Sequence, residues 1–155
     1  MYHLLLQKGI FPLMESFKGT RIQRDLAFLE RSQWWTPREM EEFQKKRLRS
    51  LILHAYAHVP YYRRIFRERG LSGEDIRTPG DLTKLPFLTK SEIRNHFSEL
   101  LAAGHQAFQP LSNSTSGSTG EPLRYCTSLS SISQLWASGF RAWGWAGYRL
   151  GDRYA

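Results

Sequence analysis

The sequence predicts a mixed α/β fold that is mostly helical, with a few short strands around one polar loop. Three observations lead there. Apolar residues recur at helical spacing through much of the first hundred positions. Helix-start signals, "TPRE", "TPGD" and "TKSE", precede several of those runs. After Gly104 the pattern changes to short alternating segments on either side of "SNSTSGSTGEP", which from Ser112 to Glu121 carries no apolar side chain.

Composition supports a packed protein. The 155 residues are 41% hydrophobic and 23% charged, which excludes wholesale disorder. Aromatics reach 14%, with five Trp, and such side chains need large apolar surroundings. The one cysteine, Cys126, excludes an internal disulfide and suits a reducing, cytoplasmic compartment. No apolar run approaches the roughly 18 residues of a membrane span. The opening "MYHLLLQKGIFPLM" has no clear small-residue cleavage site and does not read as a signal peptide. The net charge is +8, and residues 1–70 hold 14 Lys/Arg against 7 Asp/Glu. A basic front half suits nucleic acid, anionic lipid or an acidic partner. Interleaved acids, as in "REMEEFQKKRLR", favour an ordinary solvated helix face, so no nucleic acid is expected.

The elements follow in order. Residues 36–59 form the clearest helix. Thr36 caps it, Glu39 reaches back, and Pro37 takes the first helical position. Trp35 and Met40 sit where a hydrophobic staple packs, and Met40, Phe43, Leu48, Leu51, Ile52, Ala55 and Val59 form its apolar stripe. Pro60 ends or bends it. "YYRRIFRERG" is a shorter helix closed by Gly70. "TPGD" at 78–81 opens a short helical turn, and "TKSE" at 89–92 opens a helix running to about Leu101. "QAFQPL" and "LRYCTS" are expected strands. From Leu129 a helix resumes, with Ile132, Trp136, Phe140, Trp143 and Gly147 three or four apart, a spacing that favours core over a cofactor box. "YRLGDRYA" reads as a turn into a strand, which suggests a truncated protein.

The polar loop decides the functional reading. A Ser/Gly linker is one reading of such composition. Yet the loop is short and flanked by strands. It pairs Gly117 and Gly120 with the hydroxyls of Thr115, Ser116, Ser118 and Thr119. Glycines let backbone amides converge on an anion, and hydroxyls add donors, so the loop has the makings of a phosphate cradle. It is not the G-x-x-x-x-G-K-[ST] loop, since the lysine is missing.

Residues 115–122, "TSGSTGEP", resemble the phosphate-binding loop of the adenylate-forming enzymes, [ST]-[ST]-G-[ST]-[ST]-G-x-P, at every fixed position. "LRSLILHAYAHVPYYRRIFRERGL" and "DLTKLPFLTKSEIRNHF" narrow the resemblance to the phenylacetate–CoA ligase family, including its relatives in capsular-polysaccharide biosynthesis and its deazaflavin-coenzyme adenylating members. The resemblance covers roughly residues 31–155. It implies the first part of an adenylate-forming large domain: an extension at 1–35, a helical segment at 36–104, and the start of the AMP-binding domain at 105–155, truncated there. It implies ATP-dependent adenylation of a small-molecule carboxylate with transfer to a thiol, using ATP, Mg2+ and coenzyme A. It assigns Thr115, Ser116, Gly117, Ser118, Thr119 and Gly120 to the β- and γ-phosphates. Nothing in the chain resembles the family's adenine motif, ribose-binding aspartate, hinge or late lysine, so the catalytic residues are expected beyond residue 155. Many members carry Lys where this chain has Glu121, a carboxylate expected to face solvent or a basic neighbour such as Arg124. The alternative, from another class, is a non-catalytic helical module whose basic face binds a partner or anionic surface. A homodimer is left open.

Other candidates have plainer readings. His54 and His58 are four apart, a spacing that can bind zinc, but no third ligand accompanies them, and no metal site is expected. Tyr56, Tyr61 and Tyr62 beside Arg63 and Arg64 can stack on bases, though a packed helix corner is the better reading. Cys126 is expected to be buried in its strand rather than nucleophilic.

Overall fold

The computed structural model describes residues 5–116, 122–149 and 152. They divide into two units. The first comprises the chain up to Trp35, Phe108–Leu111 and the chain from Thr127 onward; the second comprises Thr36–Ala107 and Ser112–Cys126.

In the first unit a π-helical turn, Leu6–Ile10, leads into α1 (Phe11–Lys18), then α2 (Ile22–Ser32) and, far along the chain, α6 (Leu129–Trp145). Gly19 ends α1 with φ +68°, a left-handed conformation that most other residues adopt only under strain. The start of α2 has no cap of its own and borrows two groups. The buried Glu15 carboxylate accepts the amides of Ile22 and Gln23. The fully buried Ser133 hydroxyl of α6 accepts the Arg21 amide at 3.0 Å. These bonds satisfy helix-start amides that α2 cannot satisfy internally. Phe11 meets Phe140 edge-on at 6.5 Å, and the Trp145 indole donates to Gln33 at 2.9 Å. The stripe on α6 is only partly covered within the described residues: Trp136 and Trp143 remain exposed. Gly147 lies past the end of that helix, with φ +89°.

The second unit is built on a helix corner. α3 (Pro37–His58) starts at the expected capping box: Thr36 Oγ1 accepts the Glu39 amide at 3.3 Å, and the Glu39 carboxylate accepts the Thr36 amide at 2.8 Å. Val59 is extended, and Pro60 starts α4 (Pro60–Glu68) at once. The corner buries Ile52, Phe66 and Ile76 in one cluster and Val59, Tyr61 and Ile65 in another, with Tyr62 and Leu85 packed on both. Burying side chains of this size contributes about 1.5–3 kcal/mol each. Leu51 departs from the expected stripe and is 63% exposed, because the corner covers the Ile52–Val59 face and leaves its neighbour outside.

Three further expectations meet the fold differently. α5 is short, Lys90–Asn95, rather than running to Leu101. Beyond it the backbone bonds elsewhere: the Glu99 carbonyl accepts the Tyr61 amide at 3.0 Å, and the His58 carbonyl accepts the Ala103 amide at 2.7 Å. These tertiary bonds replace helical ones. "QAFQPL" is not a strand through its length. His105–Phe108 is a 3-10 turn, Gln109 has φ +45°, and β1 begins only at Leu111. Pro110, with no amide to donate, separates turn from strand. β2 (Arg124–Thr127) lies where expected and pairs with β1 (Leu111–Ser114) in a two-stranded sheet. Cys126 is exposed, because nothing among the described residues covers its face of that sheet.

Candidate phosphate-binding hairpin

The hairpin that carries the polar loop is closed at its neck by one residue pair. The Thr115 amide donates to the Leu123 carbonyl at 3.0 Å. The Leu123 amide donates to Thr115 Oγ1 at 3.0 Å. Thr115 thus spends its hydroxyl oxygen as an acceptor, and its O–H proton stays available to donate toward the loop. The pair extends the β1–β2 ladder by one rung and fixes where the loop leaves the sheet. Ser116 and Pro122, at the two exits, are exposed. Gly117, Ser118, Thr119, Gly120 and Glu121 lie outside the described residues.

Beside the neck is a small cleft of about 190 Å³, lined by Ile93, Arg94 and Phe97 and by Pro122, Leu123 and Arg124. The Arg124 guanidinium lies over the Phe97 ring, 5.1 Å from its centroid. That contact holds the charge at the base of the loop. The cleft therefore brings two guanidinium-bearing residues to the hairpin neck, a placement suited to anions. Sequence reasoning named Arg124 only as a neighbour for Glu121 and missed Arg94. The signal was there in "SEIRNHF", but only the tertiary fold sets that helix beside the hairpin.

The capping boxes that hold this unit also set its electrostatics. Asp81 accepts the amide and hydroxyl of Thr78 and pairs with Lys84 at 2.7 Å; the Lys84 contact, then Thr78, holds its carboxyl far below the usual range. Glu92 accepts the Thr89 amide and hydroxyl and the Tyr61 phenol, and the Thr89 bonds lower its pKa most. Burial, and then the Glu92 bond, raises the Tyr61 phenol.

The remaining candidates have structural places. Tyr61 is buried and meets Tyr62 edge-on at 5.4 Å, while Arg64 lies over the Tyr61 ring and pairs with Glu68, so these three residues pack the corner. His54 and His58 share a face of α3 with ring centroids 4.9 Å apart. Among the described residues no three His, Cys, Asp or Glu side chains are grouped to hold a metal ion. Nor is any helix among them long and apolar enough to cross a membrane.

No protein-family model matches the chain. Curated relatives do. The chain is 31% identical to the phenylacetate-coenzyme A ligase of Aromatoleum evansii over 100 residues, covering 64% of this chain and 22% of that protein. It is 34% identical to the phenylacetate-coenzyme A ligase of Thermus thermophilus over 87 residues, 56% of this chain and 20% of that one. It is also 34% identical to the Escherichia coli phenylacetate-coenzyme A ligase over 84 residues, 54% and 19% of the two. The chain thus spans about a fifth of the length of the curated relatives it matches. These matches support a phenylacetate–coenzyme A ligase-like family for the chain.

Proposed function

We propose that the full-length protein adenylates a small-molecule carboxylic acid with ATP and passes the acyl group to a thiol, as an acyl- or aryl-CoA ligase does. In this reading the chain supplies the phosphate-binding loop, Thr115, Ser116, Gly117, Ser118, Thr119 and Gly120. The observation that carries it is the "TSGSTGEP" loop mounted on a hairpin neck closed by Thr115 and Leu123, in a chain whose relatives are phenylacetate-coenzyme A ligases.

The residues fit a phosphate chemically. From Thr115 to Gly120 the side chains are hydroxyls or hydrogen, with no carboxylate among them. The Thr115 hydroxyl, anchored by the Leu123 amide, has one proton to give. Arg94 and Arg124 at the neck raise the local positive potential. When ATP is bound, negative charge builds on the departing pyrophosphate, and donors already in place there lower the barrier. Mg2+ would be carried on the nucleotide's phosphates. Coenzyme A is the thiol that the relatives' name implies, and a reducing cytoplasm suits the exposed thiol of Cys126.

The test is acid-dependent ATP–pyrophosphate exchange by the full-length protein across a panel of aryl and alkyl carboxylic acids. Exchange with at least one acid, lost on Gly117→Val or Gly120→Val, is expected, because a β-branched side chain fills the space a phosphate needs. Normal exchange in both glycine variants would leave the loop a linker and overturn the assignment.

A further inference from the structure

Of the aromatic and basic residues around the helix corner, Tyr61, Tyr62 and Arg64 are consumed by packing. Tyr56, Arg63 and Arg67 are not. They line an open cleft of about 470 Å³ with Ala57, Gly70 and Leu71. That is the size of a site for a small organic ligand. We propose that this cleft binds a phosphate ester carried on a planar ring, an aryl or nucleoside phosphate, at a site separate from the hairpin loop.

The two arginines supply the grip. They stand four apart on α4, one helical turn. Arg63 donates to the Ala57 carbonyl, which orients its guanidinium and uses one of five N–H donors. Among the described residues Arg67 has no ion-pair or side-chain hydrogen-bond partner, whereas Arg64 pairs with Glu68 at 3.3 Å and Arg69 donates to the Lys84 carbonyl at 3.3 Å. Among the described residues no carboxylate lines the cleft. The carboxyl-terminal ends of α3 and α4 are near and carry about half a negative charge each, less than the two full positive charges facing them. A phosphate ester carries between one and two negative charges at neutral pH and matches the guanidinium fork.

Tyr56 supplies the ring wall. Phe66 meets it edge-on at 5.4 Å and fixes its plane, while Tyr56 as a residue stays 38% exposed. Stacking on a held tyrosine needs no ordering of the protein when the ligand arrives. Gly70 has φ +63° and no side chain to close the mouth.

Calorimetric titration of the full-length protein with phenyl phosphate tests this, with inorganic phosphate as the ringless comparison. Saturable binding of phenyl phosphate is expected, several-fold tighter than that of inorganic phosphate. Arg67→Glu should weaken it about ten- to hundredfold, the range for losing a charge-assisted contact. Arg67 is exposed in the last turn of α4, so the variant's unfolding midpoint should fall only slightly, by the small helix-end effect of exchanging a cation for an anion there. Arg64→Gln and Gly117→Val should leave binding unchanged. The Gly117 variant separates this site from the hairpin loop, so either assignment can fail alone. No saturable binding, equal weakening by Arg64→Gln and Arg67→Glu, or loss on Gly117→Val overturns the proposal.

Discussion

Thr115 ties the hairpin neck and, in the proposed function, also donates to a phosphate oxygen, so two measurements on its variants should separate these roles. Its oxygen accepts the Leu123 amide at 3.0 Å and so ties the hairpin neck; its proton is available to a phosphate oxygen. Thr115→Ala removes both. Thr115 is exposed and Leu123 half-buried, so water can reach the freed amide. The stability cost should then stay near the ordinary net value of a hydrogen bond, about 0.5–1.5 kcal/mol. The backbone bond from the Thr115 amide to Leu123 survives and limits the opening. A donor lost against a charged oxygen costs more, about 1.5–3 kcal/mol, or roughly ten- to hundredfold in rate if felt in the transition state. Thr115→Ser keeps the hydroxyl and should stay close to the parent in both respects. The assays are thermal unfolding of each variant, and pyrophosphate exchange and thiol transfer by the full-length protein. Transfer from a supplied acyl-adenylate should change little, since pyrophosphate has already left. Full-rate exchange by Thr115→Ala would refute the reasoning at its center; a Ser variant as impaired as Ala would refute the part that rests on the hydroxyl.

Other expectations follow from the same structure. Phe66→Ala empties a fully buried site in the second unit and should cost about 3–5 kcal/mol, read by chemical denaturation; a cost below 1 kcal/mol would contradict the packing described for the corner. Glu39, Asp75, Asp81, Glu92 and Glu99 all have lowered pKa values, from ordinary values of 4.5 for the glutamates and 3.8 for the aspartates. Their contribution is therefore present above about pH 4.5 and lost as pH falls through the depressed folded values, so the denaturation midpoint should drop progressively in acid, and an unchanged midpoint from pH 7 to pH 2 would contradict this. The 155-residue chain alone, covering about a fifth of its relatives' length, should show no acid-dependent exchange, and robust exchange would defeat that expectation. With Trp136 46% exposed and Trp145 70% exposed, it should also associate and bind a hydrophobic dye, which light scattering can contradict by finding a clean monomer.

What the sequence determined by itself was local. Three capping signals were legible because they join residues only three apart: Thr36 with Glu39 and Thr89 with Glu92 bond reciprocally, and the Asp81 carboxylate reaches back to the Thr78 amide. Pro60 and Gly70 bounded α4 for the same reason, since each acts through its own backbone. The polar loop was legible as composition, and the family resemblance through the loop motif and two local stretches, "LRSLILHAYAHVPYYRRIFRERGL" and "DLTKLPFLTKSEIRNHF". What only the tertiary structure decided lay between distant residues. Helical spacing placed Leu51 and Ile52 in one stripe, but the α3–α4 corner chose which was buried. "TKSE" started α5, but that helix ends at Asn95, and further on the Glu99 carbonyl accepts the Tyr61 amide. Cys126 read as a buried strand residue, yet its exposure depended on what packs over the sheet. Arg63 and Arg67 were two arginines among four in "YYRRIFRERG" until the fold set both at one cleft and gave Arg64 and Arg69 other partners. Caps and turns are set by neighbours along the chain, whereas burial and the pairing of charges are set by neighbours that arrive only on folding.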